Sequence, residues 1–399
     1  MMDIQEARAA LIAVRELSGL FAIATMTYEK HGRTLNGTDP VTALVTLQGL
    51  GADAVGCNCS SGPEAMLEMI AAMKPHARVP LVAKPNAGMP RLVGDATVFD
   101  MDAAAFAAFG GRFAAAGVNL MGGCCGTTPA HIGALCAALA AERPAAPVQS
   151  GTASVSSARS ARILNRNEAL VIVGGRLNAA EDEPLRQAVA AGEMGPVRQA
   201  VRDQEKEGAA IILLKIGTPG IDEAESLGKI LTQLAPTTRI PLMIDVVQGG
   251  TVEEVLRQYP GCLLVRAAFG RETWTTLFPV AARYGAVPVP RCRPEDGPAG
   301  CRTAIRDLIG EAKRHGFTRE QIVIDLSPGE ALPRPEAVRT ALDLISWCAG
   351  DVGCRTLLDV TGIGRDLPER QWLQAAVLAA AQAAGLTLAI ADPALKELM

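Results

Sequence analysis

Val118-Asn119-Leu120-Met121-Gly122-Gly123-Cys124-Cys125-Gly126-Thr127-Thr128-Pro129 carries the reading of both the fold and the chemistry. A short apolar run breaks into a glycine-rich loop, and a proline follows near a helix start, so the stretch reads as strand, loop and helix. The loop holds two adjacent cysteines. Neighbouring cysteines seldom bridge each other, because the backbone between them reaches disulfide geometry poorly, but both can turn toward one metal ion. Two more cysteines lie upstream in Gly56-Cys57-Asn58-Cys59-Ser60. Three thiolates make a zinc site with one position open, and an open position facing a thiol substrate points to thiol alkylation. Cys57 and Cys59 are two residues apart, so on a strand they share a face and either can be the third ligand. Cys59 is favoured because it lies further toward the loop.

Working outward, three earlier apolar runs repeat the pattern, at residues 20–28, 52–58 and 79–85. Each ends in a loop containing Gly, Pro, Asn or Cys, with helical periodicity between runs, which predicts parallel strands in βα units. Residues 142–166 are rich in Pro, Ser and Ala without periodicity and read as a flexible connector. Beyond it come eight further runs, near 170–173, 210–216, 240–245, 262–267, 286–290, 321–326, 355–360 and 386–391. Eight βα units in about 235 residues fit a complete (β/α)8 barrel. The expected architecture is α/β, with a partial barrel of about four βα units at 1–141, the connector, and a complete TIM barrel at 167–399. Four units do not close a barrel, so half of the first domain is expected to lie outside this chain. Its two strand edges and apolar face would need a partner chain, a second copy or occlusion by the C-terminal domain.

Composition narrows the class. At 399 residues with 49% hydrophobic but only 4% aromatic content, the interior is built from Ala, Leu, Val and Ile. A net charge of −4 gives no support for nucleic-acid binding. No apolar run is long enough to span a membrane, and the N-terminus lacks the basic and apolar regions of a signal peptide. Ten cysteines at scattered spacings do not form a secreted disulfide scaffold, so a reducing cytoplasm is expected. Cys136, Cys262, Cys292, Cys301, Cys348 and Cys354 lack ligand-like grouping and read as packing residues. His131, just past Pro129, reads as a capping or surface residue.

The motifs Met26-Thr27-Tyr28-Glu29, Gly32-Arg33-Thr34-Leu35-Asn36-Gly37-Thr38, Gly56 to Pro63, Lys84-Pro85-Asn86-Ala87-Gly88 and Gly122 to Pro129 resemble, in order and spacing, the second half of the homocysteine S-methyltransferase domain. That domain opens members of the cobalamin-dependent methionine synthase family. The resemblance implies zinc held by Cys59, Cys124 and Cys125 and a small-molecule thiol substrate. The family's initiating Asp-Gly-Ala-Met-Gly-Thr-like loop and Glu-Thr strand do not occur here.

The second half is similar to the pterin-binding barrel that follows in that family, through Val173-Gly174-Gly175-Arg176-Leu177-Asn178, Ile216 to Glu223, Pro241 to Asp245, Leu367-Pro368-Glu369-Arg370 and Asp392-Pro393. Several polar positions that the family uses for the pterin differ. Leu213, Lys215, Arg266 and Thr361-Gly362 replace them, while Asn178, Asp245 and Asp325 remain. These losses argue against methyltetrahydrofolate as a ligand. Arg176, Lys215, Arg266, Arg291 and Arg365 all fall at expected strand ends, so a cationic mouth holding a carboxylate or phosphate is one reading. An ion network of Lys215 and Arg266 with Asp245 is the other.

No Asp-x-His-x-x-Gly sequence surrounds any histidine, so a corrinoid is expected on a separate protein. The resemblance implies methyl transfer from that corrinoid to a zinc-bound homocysteine thiolate; no catalytic residue beyond the ligands is assigned. Two alternatives stand beside it: a non-catalytic assembly module for a corrinoid protein or a partner subunit, and a corrinoid methyltransferase using a non-folate donor.

Overall fold

The computed structural model describes residues 1–29, 31–59, 62–147, 152–166, 168–247, 250–267, 271–328 and 335–395. Ser60 of the first cysteine motif, and 148–151 of the expected connector, lie outside these residues. The described residues form two compact units.

In the first unit, helix starts follow strand ends closely. Asp39-Pro40, Gly62-Pro63 and Thr128-Pro129 each place a proline in the first helical turn, where the missing N–H costs nothing. The strands are β1 (Ile23–Met26), β2 (Ala54–Cys59), β3 (Leu81–Pro85), β4 (Pro90–Val93), β5 (Ala96–Phe99) and β6 (Val118–Met121). The helices are α1 (Ile4–Leu17), α2 (Pro40–Gly49), α3 (Pro63–Met73), α4 (Ala103–Ala107), α5 (Phe109–Ala115) and α6 (Pro129–Leu139). One parallel sheet runs β1-β2-β3-β6, the four strands that the sequence predicts. β4 and β5 form a separate antiparallel hairpin that the sequence reading passes over. Gly94, at φ +61°, makes its turn.

Among the described residues, β6 has no strand on its outer side. β1 meets only Met1 there, through Met1 N to Thr25 O (3.1 Å) and Thr27 N to Met1 O (2.8 Å). Leu20, Phe21 and Ile23 near one edge are 69%, 66% and 53% exposed, and Leu120 on the other is 39% exposed. The open, apolar edges expected of four βα units are therefore present.

The second unit is a barrel. Its strands are preceded by a short hairpin, β7 (Ser154–Ser156) and β8 (Ala161–Ile163). They are β9 (Val171–Asn178), β10 (Ile211–Lys215), β11 (Leu242–Val246), β12 (Leu264–Ala267), β13 (Val287–Pro290), β14 (Val323–Asp325), β15 (Arg355–Asp359) and β16 (Leu388–Ala391). The sheet order β13-β12-β11-β10-β9-β16-β15-β14 is parallel throughout, and the Arg291–Asp325 bridge joins its two ends. Every one of the eight predicted runs contributes a strand. Inward-facing Val173, Ile211, Met243, Leu264, Leu357 and Leu388, each at most 2% exposed, fill the interior. No helix among the described residues is long and apolar enough to cross a membrane.

The connector expectation needs correction. Within 142–166, β7 and β8 form a hairpin whose Val155, with the adjoining Ala153 and Leu164, joins the interior barrel cluster. Ser156 bridges Cys262 just ahead of β12, and Ala153 N donates to Glu320 O (3.1 Å) ahead of β14. The hairpin thus plugs the N-terminal end of the barrel. Its strands are only three residues long and carry one and two apolar residues, so its polar flanks hide it in the sequence. Gly261 lets it dock, since a Cβ there would lie 2.0 Å from Ser156 O.

Leu164, wholly buried in that plug, supplies a test. Leu164→Ala should destabilise the protein by about 2–5 kcal/mol in urea unfolding, as large-to-small changes in a packed core do. A change under about 0.5 kcal/mol, the level of a surface substitution, would show the hairpin to be ornamental.

Candidate metal centre

Strand register sets the three cysteines level. Cys59 at the end of β2 lies opposite Pro85 of β3, and Ala83 of β3 lies opposite Met121 of β6. The loop leaving β6 then folds back onto the end of β3. Cys124 N donates to Pro85 O (2.9 Å), Ala87 N donates to Cys125 O (2.9 Å), and Cys125 N donates to the buried Asn86 side-chain oxygen (3.1 Å). Thr127 Oγ1 donates to Cys124 O (2.6 Å). Gly126 sits at φ +80°, and a Cβ there would lie 2.4 Å from the Phe99 ring, so neither backbone nor space admits a side chain. Ala87, Phe106 and Leu135, with Phe99, Met101 and Met121 against them, make an apolar cluster beneath the loop.

His131 closes the loop's far end. Thr128 N donates to His131 Nδ1 (3.2 Å), and Nε2 lies 2.9 Å from Met101 O. Accepting at Nδ1 places the ring proton on Nε2, which donates to that carbonyl. His131 is a capping residue, as one of the two sequence readings has it, and it is buried rather than superficial. Its ring stands edge-on to Phe106 with centroids 5.6 Å apart.

The sulfur atoms of Cys59 and Cys125 are 3.8 Å apart, those of Cys124 and Cys125 are 3.9 Å apart, and all three lie within 4.8 Å of one another. A tetrahedron with Zn–S bonds of ~2.3 Å has edges of about 3.8 Å. Donor type, number and spacing therefore fit zinc, with the fourth corner left for an incoming ligand. Cys59 adopts φ +61°, a left-handed conformation that costs a non-glycine residue about 1–3 kcal/mol.

That kink removes Cys59 from the strand's alternation and overturns the expectation that Cys57 shares its face. Cys57 is fully buried, its sulfur 3.8 Å from Met73 of α3, and burial pushes its thiol up to about 12. Hydrogen bonding with Cys59 and Cys124, and to a lesser degree slight desolvation, push the exposed Cys125 thiol up to about 11. At neutral pH it carries its proton until a metal displaces it. Of the cysteines read as packing residues, Cys262, Cys292, Cys301, Cys348 and Cys354 are buried, and Cys136 is exposed.

The barrel has its own polar cluster at the C-terminal mouth. Asn178, Lys215, Arg266, Arg291 and Arg365 border one open cavity of about 470 Å³. Arg176 stands apart, paired with Asp392 (2.7 Å) and with Glu207. Arg365 is engaged by Glu181. Arg266, on β12, is 3% exposed and reaches Asp325 (2.7 Å), Asp245 (3.2 Å) and Asp359 (3.4 Å). Burial alone would lower the guanidinium's affinity for its proton, but these three carboxylates outweigh it and hold Arg266 charged. Burial pushes Asp245 up from the usual carboxylate range, against the pull of Arg266 and Lys215. The ion-network reading thus describes Arg266 and Asp245, with Asp325 and Asp359 as further members. Asp359 and Ser327 were not picked out in the sequence. A carboxylate at the end of the seventh strand, Leu357-Leu358-Asp359, is the signal that was there to use.

Fold and site together define a (β/α) protein with a three-cysteine cluster of metal-binding geometry in one unit and a complete barrel in the other. Its likeness is to the methionine synthase family, and residues 1–139 match the family model described as homocysteine S-methyltransferase. The methionine synthase of Mycobacterium tuberculosis (strain ATCC 25618 / H37Rv) is 30% identical over 395 residues, covering 92% of this chain and 32% of that protein. That of Mycobacterium leprae is 27% identical over the same shares. The chain thus spans about a third of the length of these relatives. Among solved structures, dihydropteroate synthase from Stenotrophomonas maltophilia shows 18% identity over 59% of this chain and 93% of its own, at a TM-score of 0.45. The enzyme from Xanthomonas albilineans shows 19% identity over the same shares, at 0.44. Likeness at that level says nothing about the site, and the barrel rests on its own strand pairing.

Two outcomes are expected of the cluster. Cys59→Ala, Cys124→Ala and Cys125→Ala should each lose most of an expected ~1 equivalent of bound zinc, while Cys57→Ala keeps it. Plasma emission analysis of the purified variants reads this, and zinc lost equally from Cys57→Ala would remove the assignment. Because metal uptake displaces thiol protons, zinc affinity should rise with pH. Calorimetric titration in two buffers of different ionisation heat detects the released protons, and identical heats would contradict a protonated metal-free cluster.

Proposed function

We propose that the first unit binds zinc through Cys59, Cys124 and Cys125 and holds homocysteine as the fourth, thiolate ligand for methylation. The observation that carries this reading is the gathering of three cysteine sulfurs at strand ends, two of the separations 3.8 and 3.9 Å and all within 4.8 Å, in a stretch matched to homocysteine S-methyltransferases. Zinc bound there would supply the positive charge that keeps a substrate thiol deprotonated at neutral pH. The chain's own residues do the rest. The three cysteines contribute negative charge that keeps the substrate sulfur electron-rich. Asn86 and His131 fix the loop so that the fourth corner stays open, and the apolar cluster under the loop resists collapse. The methyl group would come from a corrinoid carried on a separate protein, with no folate held by the second barrel, and the protein would work in the cytoplasm.

A second reading has an observation of its own. The outer side of β6, bare among the described residues, and the exposed Leu20, Phe21 and Ile23 near β1 suit completion by further βα units, from a partner chain or a second copy. In that reading the unit assembles with a corrinoid protein or another subunit and needs no turnover of its own.

Cobalt substitution separates the two. With Co(II) in place of zinc, adding homocysteine should strengthen the sulfur-to-cobalt charge-transfer absorption, because a fourth thiolate enters. Methionine, which has no thiol, should leave the spectrum unchanged. A cobalt-loaded protein indifferent to homocysteine would favour the assembly reading.

A further inference from the structure

At the mouth of the barrel, the chain's own arginine stands where barrels of this architecture place a ligand. Sites in (β/α)8 proteins are built at the C-terminal ends of several strands. Here Asp245 arrives from β11, Asp325 from β14 and Asp359 from β15, and all three converge on the Arg266 guanidinium from β12. The other oxygens of two of these carboxylates are already engaged. Asp325 Oδ1 accepts from Ser327 N (2.9 Å) and from Ser327 Oγ. Asp359 Oδ1 accepts from Thr361 N (3.0 Å) and Thr361 Oγ1 (2.6 Å). In each of Asp245, Asp325 and Asp359 it is Oδ2 that goes to Arg266.

Three carboxylates exceed what one buried arginine needs for charge balance. One would neutralise it, and each extra one carries a desolvation cost. The excess is balanced from the sides, where Lys215 and Arg291 act on Asp245. Acceptors from three separate strands aimed at one small, planar donor form a recognition geometry. A guanidinium fits it because its N–H groups diverge in a plane and can be read by several carboxylates at once.

We propose that Arg266 is a built-in occupant: its side chain fills a site formed by Asp245, Asp325 and Asp359 for a planar N–H donor group of the guanidine or amidine class, and so closes the mouth to ligands bearing that group. The inference stands apart from the zinc reading of the first unit and uses none of its residues. It makes the second barrel self-liganded, with a ligand that arrives in the chain and cannot dissociate.

Emptying the site tests this. Arg266→Ala leaves the three Oδ2 atoms facing a space of guanidinium size, and methylguanidine is the probe. In thermal unfolding of the full chain, low-millimolar methylguanidine should raise the midpoint of Arg266→Ala saturably, by about 3 °C at ten times its dissociation constant. The wild-type protein should not respond. Urea, planar but uncharged, and methylammonium, charged but not planar, serve as controls and should leave the variant unmoved. Equal stabilisation of the variant by methylammonium would reduce the cluster to a charge sink and overturn the proposal, as would a wild-type protein that responds as the variant does. Should Arg266→Ala be recovered only in aggregates, soluble yield on refolding becomes the readout. Yield restored by methylguanidine but not by methylammonium supports the proposal, and yield indifferent to methylguanidine overturns it.

Discussion

The main chain of the Cys124–Cys125 loop is fastened to the end of β3, and the metal-binding geometry hangs on that attachment. Three hydrogen bonds, two to backbone carbonyls and one to the buried Asn86 side chain, leave the loop no freedom to slide. Each is modest alone, about 0.5–1.5 kcal/mol. Their value lies in position, because they set the sulfur separations before any metal arrives. A cluster assembled only by its metal would lose affinity to the ordering of the loop. Here that cost falls on folding, and the apolar cluster of Ala87, Phe106 and Leu135 below the loop offsets it.

Cys59 shows the same division of labour from the other side. Its left-handed backbone is a local defect in a strand, tolerated because it turns the thiol toward Cys125 and away from the helix layer where Cys57 lies. Strained residues of this kind gather where geometry serves a site. The neighbouring Gly56 belongs to the same design. A Cβ there would lie 1.9 Å from Val82 O, so β2 and β3 approach too closely for any other residue.

The strands of both sheets were legible in the sequence because each is an apolar run that stops at Gly, Pro, Asn or Cys, and parallel strands buried on both faces make such runs. The cysteine triad was legible because a vicinal pair in a glycine loop is rare and chemically specific. Other features depend on contacts that no local pattern records. Val155 stands alone between two serines and Leu164 belongs to a two-residue apolar step, and only the barrel's open end makes them core. The direction of Cys59 follows from one dihedral angle. The engagement of Arg266 by Asp325 and Asp359 joins residues 59 and 93 positions apart in the chain, so the sequence reading reached only as far as a pairing of Arg266 and Lys215 with Asp245.

The barrel wall is not uniformly knit. Neighbouring strands elsewhere share three or four paired positions, but β13 and β14 meet through the single Arg291–Asp325 bridge, with Cys292 N donating to Asp325 O at 2.7 Å. Arg266, rooted on β12, grips Asp325 on β14 and so passes over β13 and across this seam. The seam between β13 and β14 is therefore the most sparsely paired stretch of the wall, and the guanidinium is the clasp that spans it.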